Sequence, residues 1–380
     1  MYFGDKRLNN RFSVILDSLS SSYGSIPNSM SDMYQTKAFY RFVNHKKVDS
    51  TKIEASYEAS SLGSPFFLEN KTILGIQDTS ELLYTGNRSA KNLDCLDQTY
   101  MKGFFMDTLL LASSEGIPEG FSRIEFYNRK EADLGKGKTA KQRKRPSKEK
   151  ESYRWLSGFK RFSSYFEAYP AKEGIYIADR EADMSSIFEA STQPNVHFII
   201  RSKHDRNLLG GEKLYKTLSE QPSQGSRKVL IREAKGKERM AELNIRFMPI
   251  QFCSSRNKKN SQVLYAVEAQ EIDAPKGVKP ISWRLISDMK VENLQTAERV
   301  LDFYVMRWLI ERFFYVLKEG FLKVEDLQIE EAEALKNALV LKAYQALTIM
   351  NLHTRGSKRT QQGLLSCDFE QKEMIWPTPT

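Results

Sequence analysis

Leu8, Phe12, Ile15, Leu16 and Leu19 recur at the three-and-four spacing of an amphipathic helix. A second helical run follows Asn28-Ser29, read as its N-cap, and carries through Met33 to Val43. Residues 1–65 are therefore expected to form a helical module. From Lys71 the pattern shifts: KTILGIQDTSELLY, YMKGFFMDTLLLAS and GFSRIEFYNR read as three strands of a meander. An amphipathic helix, ESYRWLSGFKRFSSYFEAY, comes next, then two short apolar strands, GIYIAD and VHFIIRS.

Residues 203–284 alternate apolar and polar positions in KVLIREA, ELNIRFMPI and QVLYAVEAQEI, around a polar break, SSRNKKNS, and read as a β-rich insertion. Thr296 opens the longest helical run, TAERVLDFYVMRWLIERFFYVLKEG, which is expected to stop at Gly320. A further helical segment covers Glu330 to His353. The expected division is 1–65 helical, 66–202 a first α/β part, 203–284 the insertion, 285–355 the closing helices and 356–380 a polar tail. The class is α/β, a mixed sheet flanked by helices.

Composition narrows the function. The chain has 380 residues, 40% of them apolar, with no apolar run near the roughly 18–20 residues of a membrane span and no secretory apolar core at its start. A cytoplasmic protein with no membrane partner is expected. Three cysteines, far apart and in no CxxC spacing, exclude a disulfide framework or a thiolate zinc site. The formal net charge of +10 favours a polyanionic partner. Ten cations, Lys141, Arg143, Lys144 and Arg145 among them, crowd residues 129–150 against three acids. With two glycines and a proline, this stretch reads as a DNA-contacting loop or a solubilising one.

Asp78 is expected to end the apolar strand ILGIQ, and Asp179 the apolar strand GIYIA. Side by side, two such strands would bring both carboxylates to one rim of a sheet, although either Asp could instead cap a helix or form a turn. On the long helix, Tyr304, Arg307, Glu311 and Lys318 share a stripe roughly 60° wide, which is a reacting face or a salt-bridge ladder. Val305, Leu309, Ile310, Phe313 and Leu317 fill the rest of the helix surface, which is expected to be largely buried. Asp78, Asp179 and Glu311 are hard oxygen ligands suited to Mg²⁺, with Mn²⁺ as substitute. Such a trio can hold two ions about 4 Å apart for phosphoryl transfer. The four histidines are scattered, so a Ser-His-Asp hydrolase has little support.

The spacing Tyr304-x2-Arg307-x3-Glu311-x6-Lys318 resembles the signature around the catalytic Glu in the insertion-sequence-four group of bacterial DDE transposases. Ile76-Gln77-Asp78-Thr79-Ser80 resembles the group's first-Asp block, Asp179-Arg180-Glu181-Ala182-Asp183 its second, and Arg201-Ser202-Lys203-His204 the basic motif after it. Gly4-Asp5-x-Arg7-Leu8-x-x-Arg11, Ala38-Phe39-Tyr40-Arg41-Phe42 and Glu149-Lys150-Glu151-Ser152 extend the likeness over residues 4 to 355 in the group's own order.

The resemblance implies an RNase H-like catalytic domain with a β-rich insertion, behind a helical domain that binds double-stranded transposon ends. It implies Mg²⁺-dependent cleavage through a hairpin intermediate and strand transfer into target DNA, at Asp78, Asp179 and Glu311. DNA contacts are implied for Tyr304, Arg307, Lys318, Arg180, Arg201, Lys203, Arg7, Arg11, Tyr40 and Arg41. Trp283 occupies the place of a base-stacking Trp, and core filling fits it equally well.

Asp107 stands where relatives commonly have His. Relatives also carry a further N-terminal segment and a helical C-terminal region that pairs two subunits. A monomer is therefore expected without DNA, paired with a second subunit on DNA. The rival reading is a truncated or repurposed derivative that binds DNA ends as an inhibitor or regulator.

Overall fold

Helices come first in the chain: α1 (Lys6–Ser21), α2 (Ile26–Ser29), α3 (Met33–Val43), α4 (Ser50–Leu62) and α5 (Pro65–Glu69). Phe12, Ile15 and Leu19 are the buried face of α1, as its periodicity required. The cap of α3 differs from expectation. Asn28 and Ser29 belong to the short α2, and Asp32 caps α3, its Oδ1 accepting from the Gln35 N–H at 2.7 Å. The carboxylate directly before the first turn, accepting from the N–H of its third residue, won over the earlier Asn-Ser pair.

Strands β1 (Thr72–Leu83), β2 (Gly103–Ser113) and β3 (Pro118–Tyr127) then form the meander, with α6 (Tyr153–Ser164) and β4 (Glu173–Ala178) after it. The remaining elements are α7 (Ser185–Phe188), β5 (Val196–Arg201), α8 (Leu214–Ser219), β6 (Gly225–Arg232), β7 (Glu238–Ile250), β8 (Leu264–Ile272), β9 (Ser282–Ser287), α9 (Leu294–Val305), α10 (Trp308–Lys318) and α11 (Ala332–Thr360). This structure, a computed structural model, describes residues 3–86, 91–129, 146, 148, 150–190, 192–232, 238–253 and 262–360. Among them no helix is long and apolar enough to cross a membrane.

The chain divides into two compact units. One comprises Met1–Tyr176, Thr192–Val196 and Met306–Ser357; the other is built from Ile177–Ser191 and His197–Val305. In the first, the strand order is β3-β2-β1-β4, with β1 and β3 both antiparallel to the fully buried β2. Helix α6 lies close on one face of β1. A Cβ at Gly75 would come within 2.7 Å of the Phe162 ring, and one at Gly158 within 2.1 Å of Gln77 Oε1, so both contacts need glycine. On the opposite face Phe313 of α10 packs edge-on against Phe121 of β3, ring centroids 5.3 Å apart.

Helix α11 closes this unit over the N-terminal helices. Its Leu335, Leu339, Leu341, Leu347 and Met350 are buried. Asn337 Nδ2 donates to Val43 O and Val48 O, Gln345 Nε2 to Ser22 O and Ser29 Oγ, and Lys342 Nζ to Gly24 O at 2.7 Å. Tyr344 stacks on Tyr57 with centroids 5.1 Å apart.

In the second unit the order is β4-β5-β9-β8-β7-β6, and the pairs from β5 onward are antiparallel. The residues read as a β-rich insertion supply β6, β7 and β8 and the start of β9.

The run from Thr296 to Glu319 is not one helix. It breaks at Met306-Arg307, where Leu309 N–H bonds Met306 O and Ile310 N–H bonds Arg307 O, the tight i→i+3 pattern of a 3₁₀ turn. No Gly or Pro marks the break. Val305, expected in the apolar arc, is 45% exposed beside it.

Candidate active site

Strand β1 does not end at Asp78. It continues to Leu83, pairing Asp78 with Thr108 and Leu83 with Gly103. The apolar run stops because cover stops: residues 73–77 are buried and 78–81 partly exposed. A strand half uncovered in this way can present a carboxylate to solvent while its backbone stays locked in the sheet.

Helix α10 supplies the partners. Arg307, at its N-terminus and only 7% exposed, directs Nη1 to Asp78 Oδ2 at 3.5 Å and bonds Glu311 Oε1 through Nη2. One guanidinium thus serves two carboxylates, whose side chains remain 25% and 33% exposed. The other Asp78 oxygen accepts from the Thr79 backbone N–H at 2.8 Å. Lys318 Nζ donates to Glu81 O at 2.8 Å and lies 3.7 Å from Glu325. An open cleft of about 320 Å³ runs past these groups, lined by Asp78, Thr79, Ser80, Glu311, Phe314, Tyr315, Lys318 and Glu319.

The second unit holds Asp179, directly after β4. Its Oδ1 is buried without a hydrogen-bond donor, and Arg180 Nε stands 3.9 Å away. A desolvated carboxylate oxygen in that state is suited to a cation. Asp183, for which the pattern of the chain suggests no separate role, has a fully buried side chain. It accepts from the Lys203 and His204 backbone N–H groups at 2.6 and 2.8 Å and from Arg206 Nη2 at 2.6 Å. The only sequence signal for it was its place inside Asp179-Arg180-Glu181-Ala182-Asp183.

That anchor fixes the basic segment after β5 and leaves the Lys203 side chain exposed. Arg201 Nη2 donates to Ser282 O at 3.1 Å. Trp283 is half-buried on β9, its ring 5.9 Å from that of Tyr304 at 65°, so it neither fills a core nor stands free. Tyr304, 3% exposed, lies on α9 and so on a different helix from Arg307, Glu311 and Lys318. The four-residue stripe drawn on one helix is therefore divided.

In the N-terminal module Arg7 and Arg41 are exposed, Arg11 Nη1 bonds Gln35 Oε1, and Tyr40 is partly buried, which pushes its phenol up. Lys141, Arg143, Lys144 and Arg145 lie outside the described residues.

Among the described residues no group of three or more His, Cys, Asp or Glu is gathered in a way that could hold a metal ion. Between Asp78 and Glu311 the Arg307 guanidinium already supplies positive charge. By donor chemistry the carboxylates fit a hard divalent cation: all are oxygen donors, partly open to solvent or, at Asp179, without a donor.

Two family models match the chain, Transposase DNA-binding over residues 1–48 and Transposase DDE domain over residues 159–348. Among solved structures, a cryo-EM structure of the piggyBac transposase synaptic complex with hairpin DNA is similar at 9% identity and a TM-score of 0.41, over 93% of this chain and 67% of that one.

Proposed function

The chain belongs to the DDE transposase family, a DNA-cleaving and strand-transferring class, and from that premise we propose that Asp78, Asp179 and Glu311 are the carboxylates its reaction requires. The fold class is the RNase H-like α/β arrangement of that family, with a DNA-binding module at the N-terminus. DNA is the partner, and divalent metal is the family's cofactor class. Within this frame we assign the chain to the insertion-sequence-four group, with Mg²⁺, or Mn²⁺ in its place, as the ion, a hairpin as intermediate and pairing of two subunits on DNA.

The observation that carries the reading is the shared guanidinium. Arg307 is buried and joins Asp78 to Glu311, while those two carboxylates stay partly exposed and line the open cleft, where they can meet a ligand. A bound divalent ion would activate water or a 3′-hydroxyl and stabilise the leaving oxygen of the phosphodiester. The chain's own residues do the rest. Asp78 and Glu311, both partly exposed on the cleft, would hold such an ion through their carboxylate oxygens, and Asp179 is assigned to the same reaction as the third carboxylate. Arg307, whose planar fork suits oxyanions, would bind a phosphate oxygen of the DNA beside these carboxylates. Lys318, a point charge tethered to the Glu81 carbonyl, holds a second phosphate along the cleft.

Incubating the protein with its element's end DNA and Mg²⁺ tests this. Nicked, hairpin and joined products are expected from the unaltered chain and none from Asp78→Ala, Asp179→Ala or Glu311→Ala, with DNA affinity in metal-free buffer retained. A mutant that cuts at the unaltered rate removes its residue from the set. Binding with no products from the unaltered chain would return the repurposed end-binding derivative as the better reading.

A further inference from the structure

The two faces of β1 carry different chemistry. Asp78 faces α10, while Gln77 and Thr79 face the other way, beneath α6. There they meet Asp107, which stands opposite Thr79 in the β1–β2 register and is completely buried. Its oxygens accept from Gln77 Nε2 at 3.0 and 2.9 Å and from Thr79 Oγ1 at 3.0 Å. Arg123 Nε at 3.6 Å and Arg154 Nε at 3.8 Å supply the countercharge.

Each partner is itself fixed. Gln77 Oε1 accepts from the Tyr176 hydroxyl at 2.7 Å, and its Nε2 also reaches Arg154 O. The Thr79 hydroxyl donates to Asp107 and accepts from Arg154 Nε at 3.2 Å. Its backbone N–H, held in turn, is the donor to Asp78 Oδ1. An apolar residue would fill this site at lower desolvation cost, since the rest of β2 is buried and mostly apolar. What a satisfied buried carboxylate adds is a single geometry.

We propose that Asp107 is a positioning residue for DNA cleavage: by gripping Gln77 and Thr79, the two chain neighbours of Asp78, it sets the direction of the Asp78 carboxylate through the Thr79 N–H. The proposal rests on the reading of Asp78 as a reaction carboxylate. It gives Asp107 a role on the far face of the strand from the cleft.

Thr79→Val keeps the shape and loses both hydroxyl bonds, Thr79→Ser keeps them, and Asp107→Asn keeps the size and loses the charge. Single-turnover nicking of end DNA is measured against Mg²⁺ concentration, beside DNA affinity in metal-free buffer and the thermal midpoint. Thr79→Val and Asp107→Asn are expected to lower the rate about 10- to 100-fold and to raise the Mg²⁺ needed for half-maximal rate, with metal-free affinity unchanged. Thr79→Ser restores both readouts. Unchanged rate and Mg²⁺ dependence overturn the proposal, as does a loss that only follows the folded fraction, with Thr79→Ser no better than Thr79→Val. The two Thr79 variants decide the question even where Asp107→Asn fails to fold. Cleavage by Asp78→Asn is a separate result: it removes the carboxylate to be positioned and overturns the underlying reading.

Discussion

Lys342 is a cation inside the unit that α11 closes. Its accessible surface is 0%, its Nζ donates to Gly24 O and to Gln345 Oε1 at 2.7 Å, and burial pushes its ammonium down to about 7 from the ordinary 10.5. Between those two values the unfolded chain carries a proton that the folded chain has released. Stability therefore rises with pH through that window and is lowest below pH 7, where both states are protonated and the buried charge is fully opposed.

The slope is at most about 1.4 kcal/mol per pH unit, so from pH 7 to pH 9 the site contributes up to about 3 kcal/mol of change. Lys342→Met keeps the length of the side chain and cannot titrate, at the cost of two hydrogen bonds, about 1–3 kcal/mol. Urea unfolding of both proteins at pH 6.5, 7.5, 8.5 and 9.5, followed by far-UV circular dichroism, isolates the effect. The mutant should compare best at pH 6.5 and fall progressively behind as pH rises. Parallel curves, separated by the same free energy at all four values, would refute the assignment of a buried, displaced proton to Lys342.

Gly158→Ala should destabilise despite the better helix propensity of alanine, by about 1–3 kcal/mol. The added Cβ would lie 2.1 Å from Gln77 Oε1, and a thermal midpoint at or above that of the unaltered chain would contradict the close approach of α6 to β1. Replacing Lys141, Arg143, Lys144 and Arg145 by Ala should flatten the slope of log affinity for DNA against log salt, and an unchanged slope assigns these cations to solvation. Trp283→Ala should slow hairpin formation or opening more than the first nick; uniform loss of all steps together with a lower thermal midpoint would mark it as packing.

The meander, the helix after it and the boundaries of β4 and β5 were legible because each apolar run matched one period and ended at a polar turn. The strand that carries Asp78 was legible, but its exposed half was not: burial stops after Gln77, while antiparallel pairing with β2 carries the strand five residues past Asp78. The break at Met306-Arg307 had no local signal, since it is made by a turn that any residue can adopt, and single-helix periodicity therefore placed Tyr304 beside Arg307. Asp107 read as a gap in the family pattern because its worth lies in Gln77, Thr79, Arg123 and Arg154, up to 47 residues distant along the chain. Nothing local in the helical segment Glu330 to His353 marks Lys342 and Gln345 for burial, since their partners are carbonyls some 320 residues earlier.

That last separation has a consequence in time. The carbonyls of Ser22 and Gly24 find their donors 323 and 318 residues later in the chain, and those of Val43 and Val48 wait for Asn337. A ribosome adding about 5–20 residues per second would hold the N-terminal helices without their roof for roughly 15–60 s. During that interval the face that α11 covers is open to the solvent and to whatever chaperone or neighbouring nascent chain is at hand. Helices that are made early are thus finished late, and a synthesis that stalls before Asn337 releases a DNA-binding module that lacks its closing helix.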